Sequence, residues 1–319
     1  MKHIRWTMAI VLLAAASASA QVFPDRPVRL VIPQTPGGSS DVLGRIVAQK
    51  LGEKWGKPIV VENRSGAGGN IGTDAVAKST PDGYTWLLTY AGTHSINATL
   101  YTKLPFNPEK DFTAVATLAT VPFVLVSSLD LPVTDLRGLV AYAKSKPGVL
   151  NYGAANGAVN HLLGVMFDRA AGINTVHVPY RGAADSLNDT IGGQLQINYA
   201  SVPSVVGHIR AGKVRALAVA SPKRSSTLPD VPTMAEAGIQ GLAIEPWFGI
   251  FVPNGTPDSI VRQINMAINE VLGMKDVVDR LAGIGAEPLL TSPDRFAKIA
   301  SDDIAAWRVV IKESGAAIE

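Results

Sequence analysis

Val28–Ile32 is a short run of apolar and β-branched residues broken only by Arg29, the mark of a buried strand. After a turn, Val42, Leu43, Ile46, Val47 and Leu51 return on one helical face, and Gly52, Gly56 and Pro58 stop the pattern. Strand, glycine turn and helix therefore follow without a gap, and the unit recurs. Strands are expected at residues 58–61 and 84–90, with a helix running from the glycine-rich 62–72 loop to about residue 78. Residues 91–94 are expected as the loop at the third strand's carboxyl end. Two β-rich runs, 113–118 and 123–127, come in succession, and then the alternation restarts. Helices are expected at 134–144, 160–171, 183–191 and 205–211, with strands at 150–152, 175–179, 194–199 and 214–220. A strand at 247–252 and helices at 257–272, 275–282 and 293–312 close the chain; Thr256-Pro257 and Ser292-Pro293 read as cap-then-proline starts.

The chain thus leaves one βα-rich half, builds a second and returns. That order predicts an α/β fold of two lobes, two βα sheets joined by two crossover segments near residues 121–123 and 221–223. Lobe 1 would hold residues 21–122 and 223–319, and lobe 2 residues 123–222.

Residues 1–20 stand apart. Lys2 and Arg5 give a positive start, residues 7–16 an apolar stretch, and Ala18-Ser19-Ala20 a small-residue cleavage site, so export and cleavage after Ala20 are expected. The apolar stretch is well short of the roughly 20 residues that a spanning helix needs. Of 29 basic and 26 acidic residues, loss of Lys2 and Arg5 takes 29 to 27 and the net charge from +3 to +1. No basic stripe points to nucleic acid. A hydrophobic fraction of 47% is ample for a core, and the absence of cysteine excludes disulfides, thiolate nucleophiles and cysteine metal sites.

Candidate chemistry gathers at the turns. Gln34-Thr35-Pro36-Gly37-Gly38-Ser39-Ser40 joins the first strand to its helix; the two glycines let a ligand approach, and Ser39, Ser40 or Asp41 caps the helix. Free N–H groups and the positive dipole end there favour an anion. A matching loop in the second half offers Ala154, Asn156, Gly157, Ala158 and Asn160, with Gly157 permitting close approach and the asparagines supplying donors. Thr93 and His94 lie at a strand's carboxyl end, where ligands collect in open α/β sheets, although a loop histidine can equally be solvent-exposed. Arg181 is either a counter-charge for a carboxylate or an interlobe or surface residue. Of Trp247 and Phe248, one is expected in the core and one on the cleft wall. The glycines of residues 66–72 miss the dinucleotide register, because Ile71 takes its sixth place.

Several stretches carry a resemblance to a known family. They are residues 33–41 with Gly37-Gly38, Glu62-Asn63-Arg64 with the 66–72 glycines, and Pro81-Asp82-Gly83-Tyr84. Leu150-Asn151-Tyr152-Gly153, His161-Leu162, Val178-Pro179-Tyr180-Arg181-Gly182, Gly192-Gly193-Gln194 and residues 208–221 join them. Over nearly its whole length after residue 20 the chain resembles the periplasmic substrate-binding proteins of tripartite tricarboxylate transporters, the TctC or Bug family. The resemblance implies a periplasmic, two-lobed binding protein of the type II-like kind. Such a protein closes on a small organic acid, held largely by backbone N–H groups and water from one loop on each lobe. It also implies membrane permease subunits as partners, no cofactor and no metal, and a monomer is expected. Three departures concern the ligand. Gln34 and Thr35 replace aromatic or small apolar residues, Ala200-Ser201 stands where many relatives are acidic, and Val159 replaces a hydroxyl residue. Without a carboxylate at Ala200 and Ser201, an amino-acid ligand is disfavoured.

Two other functions bear on the same residues. A periplasmic hydrolase lacks its usual marks: there is no G-x-S-x-G elbow, no H-E-x-x-H and no cysteine. A sensor that presents its ligand to a receptor needs the same closing cleft, and the residues do not separate it from a transport component.

Overall fold

The computed structural model describes residues 23–314 apart from Asn156 and Glu245, so the expected leader lies outside the described residues. Its strands are, in chain order, β1 (Val28–Ile32), β2 (Ile59–Asn63), β3 (Thr85–Tyr90), β4 (Phe112–Thr120), β5 (Phe123–Ser127), β6 (Asn151–Ala154), β7 (Val176–Pro179), β8 (Ile197–Ser201), β9 (Arg215–Val219), β10 (Trp247–Pro253) and β11 (Glu287–Pro288). Its α-helices are α1 (Ser39–Trp55), α2 (Asn70–Ala77), α3 (Asn97–Leu100), α4 (Leu136–Ser145), α5 (Val159–Ala171), α6 (Ala183–Ile191), α7 (Val202–Arg210), α8 (Asp258–Leu272), α9 (Lys275–Gly283) and α10 (Pro293–Ser314).

The strands form two sheets, ordered β11-β4-β10-β3-β1-β2 and β7-β6-β8-β5-β9. In the first, β1 lies parallel to β2 and β3, because α1 and α2 carry the chain back over the sheet between them; β10 returns antiparallel between β3 and β4. In the second, β6 lies parallel to β7 and β8, and β5 runs against β8 and β9. Leu43, Ile46, Val47 and Leu51, the helical stripe read from sequence, face the first sheet and share its core with Val261, Ile264 and Ile268 of α8. Burying each such side chain stabilises the fold by about 1.5–3 kcal/mol. The second core gathers Leu125, Tyr152, Leu163, Phe167 and Tyr199 around β5, β6, α5 and β8.

The first crossing falls between β4, which ends at Thr120, and β5, which opens at Phe123 in the other sheet. The second crossing comes later than residues 221–223. Met234 N donates to Val219 O at 2.9 Å and Ile244 N to Ala220 O at 2.6 Å. Met234, Ile239 and Leu242 are buried in the second core. The chain passes over only at Pro246, whose carbonyl accepts from Val121 N at 3.1 Å, so the two crossings lie side by side. Ser221-Pro222-Lys223 ends a strand, but a polar turn does not tell which core the next apolar residues will join.

A second difference concerns residues 91–94, expected as a loop, of which Gly92, Thr93 and His94 are helical together with Ser95 and Ile96. They wind into a wide helical turn that leads directly into α3. A Cβ at Gly92 would lie 2.3 Å from the Tyr90 ring, so only glycine lets the chain turn so tightly off β3. Ile96 and Leu100, at the end of this first-lobe segment, are buried in the second lobe's core. Helix α10 also touches both halves: Phe296 and Ala300 pack with Val31, Leu87 and Phe251, whereas Trp307 and Ile311 pack in the second core.

Candidate functional site

The turn after β1 leaves Thr35, Pro36 and Gly37 exposed, and Gly37 has φ +83°. Gly38 takes the N-cap place of α1 with φ −75° and ψ 170°, and no side chain caps the helix. The expectation that Ser39, Ser40 or Asp41 would cap it is therefore corrected. With helical geometry starting at Ser39, Asp41 lies too far into the first turn, and its carboxylate reaches back to accept from Gly37 N at 3.0 Å. Arg45 Nε donates to Asp41 Oδ1 at 3.0 Å from the next turn. Burial pushes the Asp41 carboxyl upward, but hydrogen bonds from Arg45, Gly37 N–H and Asn63 outweigh it and hold the group below its ordinary value. Among the described residues no side chain caps the opening amides of α1, which suits them to a bound anion.

The second lobe repeats the device. Ala158 is the N-cap of α5 with φ −67° and ψ 162°, again with no side-chain cap. Gly157, at φ +72°, donates its N–H to His161 Nδ1 at 2.9 Å. Gly37 reaching Asp41 and Gly157 reaching His161 are the same four-residue span, ending on a carboxylate in one lobe and an imidazole in the other. Ala154 is the buried end of β6, Asn160 lies buried in the first turn of α5, and Asn156 is outside the described residues.

His161 is a contributor that sequence reading did not single out as a site residue. An Nδ1 that accepts from Gly157 makes the ring neutral, with its proton on Nε2. The ring stacks on His177 at a centroid distance of 4.0 Å, and His177 Nε2 donates to Ala154 O at 3.0 Å. Burial, and then the neighbouring His177, depress the His161 pKa to about 4. The spacing from Gly157 to His161, matching that from Gly37 to Asp41, was the available signal.

The α1 mouth touches the second lobe at the start of α7. Ser39 Oγ and Ser201 Oγ are 3.0 Å apart, and Ser201 Oγ donates to Ser204 Oγ at 3.0 Å. Ala200 beside them is buried. Behind the first mouth, Gln34 Nε2 donates to Thr93 Oγ1 at 2.9 Å, and Asn63 Nδ2 donates to Gln34 O at 3.2 Å. Thr93 also approaches Gly69, where an added Cβ would lie 2.7 Å from its methyl group. Close packing of this kind accounts for glycine at position 69 without a ligand.

Other candidates fall elsewhere. His94 is corrected on both readings: it is 2% exposed, stacked on Phe251 at 4.2 Å and edged by Phe112 and Trp247. Burial alone depresses its pKa to about 3, so the ring is a neutral part of the aromatic core. The expected split between Trp247 and Phe248 also fails, because both are buried. Trp247 Nε1 donates to Asp303 Oδ2 at 3.1 Å, and Phe248 stacks on Tyr90 at 5.5 Å. Strand β10 lies between β3 and β4, and this central place leaves both rings inside. Arg181 is exposed in the turn after β7.

Two α/β lobes, joined by paired crossings and each opening a helix whose N-cap makes no side-chain hydrogen bond, define a solute-binding protein of the two-lobed periplasmic type. The family model of the tripartite tricarboxylate transporter family receptor matches residues 43–316, and the chain belongs to this family. It is 39% identical to protein BugT of Bordetella pertussis over 307 residues, which is 96% of this chain and 94% of the relative. Among solved structures it resembles R. palustris Rpa4515 with adipate, at 38% identity and a TM-score of 0.89, over 92% of this chain and 99% of that one. It also resembles MatC (Rpa3494) from Rhodopseudomonas palustris with bound malate, at 33% identity and a TM-score of 0.83, over 91% and 100% of the two chains.

Proposed function

We propose that the protein captures a small organic mono- or dicarboxylate, aliphatic or aromatic, between its lobes and delivers it to a tripartite tricarboxylate-type membrane transporter. The observation that carries this reading is the pair of uncapped helix mouths at Gly38 and Ala158, one on each lobe. Backbone donors aimed at a carboxylate make charge-assisted hydrogen bonds of about 1.5–3 kcal/mol each. Three or four of them supply roughly 5–12 kcal/mol, which brackets the ~8 kcal/mol of micromolar affinity. The helix dipole adds only about 0.3–1 kcal/mol, so amides rather than a dedicated arginine do the holding. The adipate and malate of the two similar structures support an acid ligand, and family membership supports the transporter as recipient. No bond is made or broken; the work is closure, driven by tighter binding to the shut form.

A thermal-shift screen of the purified protein against aliphatic dicarboxylates, aromatic acids, amino acids and neutral solutes tests the reading. Stabilisation by one or a few carboxylates is the expected result. Stabilisation by amino acids alone would overturn both the acid ligand and the inference drawn from Ala200 and Ser201.

A further inference from the structure

A short piece of the first lobe's chain is fastened to both halves. After β3, the wide turn and α3 carry residues 92–100, whose polar side chains bind one lobe while their apolar ones enter the other. Asn97 Nδ2 donates to Gly68 O at 3.0 Å and to Asn70 Oδ1 at 2.8 Å, and the Thr93 hydroxyl donates to Gly68 O at 3.2 Å. Ile96 and Leu100 are buried in the second core. The end of the Leu100 side chain rests on Gly157, where an added Cβ would lie 1.7 Å from Leu100 Cδ2 and 2.9 Å from Cδ1. The space that a side chain at position 157 would need is thus filled by a residue from the other lobe's chain.

Inside its own lobe the Gly157 turn is held by two local bonds. Gly157 N–H donates to His161 Nδ1 at 2.9 Å, and Ala158 N donates to Ala155 O at 3.1 Å. Glycine has the widest choice of backbone conformations, so its φ of +72° is fixed by its surroundings. Backbone donors bind a ligand tightly only when they are held in place beforehand. We propose, resting on the carboxylate reading above, that Leu100 is a positioning residue for ligand binding: it reaches from the first lobe's chain against Gly157 and holds the α5 turn in its ligand-accepting form. The first ligand turn is tied to the same segment, because Gln34 Nε2 donates to Thr93 Oγ1 at 2.9 Å. Loss of the Leu100 side chain would free the second turn and leave these bonds of the first intact.

Titration calorimetry with the acid selected in the thermal-shift screen tests this in Leu100→Ala, Gly157→Ala and the double variant. Leu100→Ala is expected to weaken binding about tenfold, and Gly157→Ala to cost less affinity in that background than in the parent, because the added methyl then has room. Hydrogen exchange should at the same time quicken in residues 155–160 and stay unchanged in β1. A lower melting temperature with unchanged affinity would overturn the proposal, since Leu100 would then only fill the core. Losses that simply multiply would overturn it as well, by showing that the two residues act independently. Leu100→Val, a milder truncation, is read in the same way at about threefold. If neither variant folds, the parent decides: the acid should slow exchange in residues 96–101 as well as 155–160, and protection of 155–160 alone overturns the proposal. Binding only of solutes of another class would overturn the carboxylate reading and this proposal together. Acid binding that is indifferent to Leu100 overturns this one alone.

Discussion

A Cβ on Gly38 would meet only the Thr35 carbonyl, at 3.6 Å, and the residue's φ of −75° suits any L side chain. Gly157 is the opposite case: at φ +72° an added Cβ would lie 1.7 Å from Leu100 Cδ2. Gly38→Leu is therefore expected to keep the fold, at a cost of about 1 kcal/mol, while obstructing the mouth of α1. Its affinity for the acid selected in the screen should fall at least about tenfold, as read by calorimetry. Gly157→Ala should instead lose about 1–3 kcal/mol in denaturant titration, through strain and displacement of Leu100. Asp41→Asn removes the charge that Gly37 and Arg45 share and should cost about 1.5–3 kcal/mol. Because the native carboxyl is held below its ordinary value, its contribution is complete above about pH 4 and is lost as the pH falls through the folded value. The variant's stability should accordingly change less between pH 5 and strongly acidic solution.

At the scale of elements, the two turns proposed to hold the ligand were legible because each is a glycine turn between a strand and a helical stripe. The backbone's use of them was less so. Ser39, Ser40 and Asp41 announce a helix start by type, but Gly38 rather than any of them became the cap. His94 looked like a loop residue because it follows a strand, yet the wide turn carries it inward against Phe251. The α5 mouth carries its own pH dependence. The pKa of His161 lies at about 4 in the folded chain, below the ~6.5 of an unfolded histidine, so the unfolded state takes up protons first. Stability from this neutral ring is complete above about pH 6.5 and declines as the pH drops toward 4. Protonation would also put a hydrogen on the Nδ1 that receives Gly157 N–H. His161→Gln, which keeps an acceptor without titrating, should show a smaller fall in melting temperature between pH 7.5 and 5. His177 and His94 shift in the same direction, so only the difference between variant and parent isolates His161.

Across the whole molecule, the lobes touch through the hydroxyl pair of Ser39 with Ser201 and through the exposed ion pair of Lys223 with Glu287 at 3.0 Å. The Ser39 to Ser201 contact, at 3.0 Å, contributes about 0.5–1.5 kcal/mol to the lobe arrangement seen here. Ser201→Ala should weaken ligand binding about two- to tenfold and enlarge the ligand-free protein in small-angle scattering, with no loss of secondary structure. An unchanged affinity and radius would show that the contact does not help to hold the shut form. The two-lobed plan itself followed from the order of runs along the chain. The place of the second crossing did not, since Met234, Ile239 and Leu242 join the second core through contacts that only the folded chain makes.

Helix α10 adds a stiff tie to the two crossings, beside the buried Ile96 and Leu100. Its first turns, at Phe296 and Ala300, are embedded in one half, while Trp307 and Ile311 are embedded in the other. Paired strands alone would let the halves twist as well as bend. A stiff rod anchored at both ends resists twist and slippage. Whatever receives the loaded protein would then meet a single silhouette rather than a family of them.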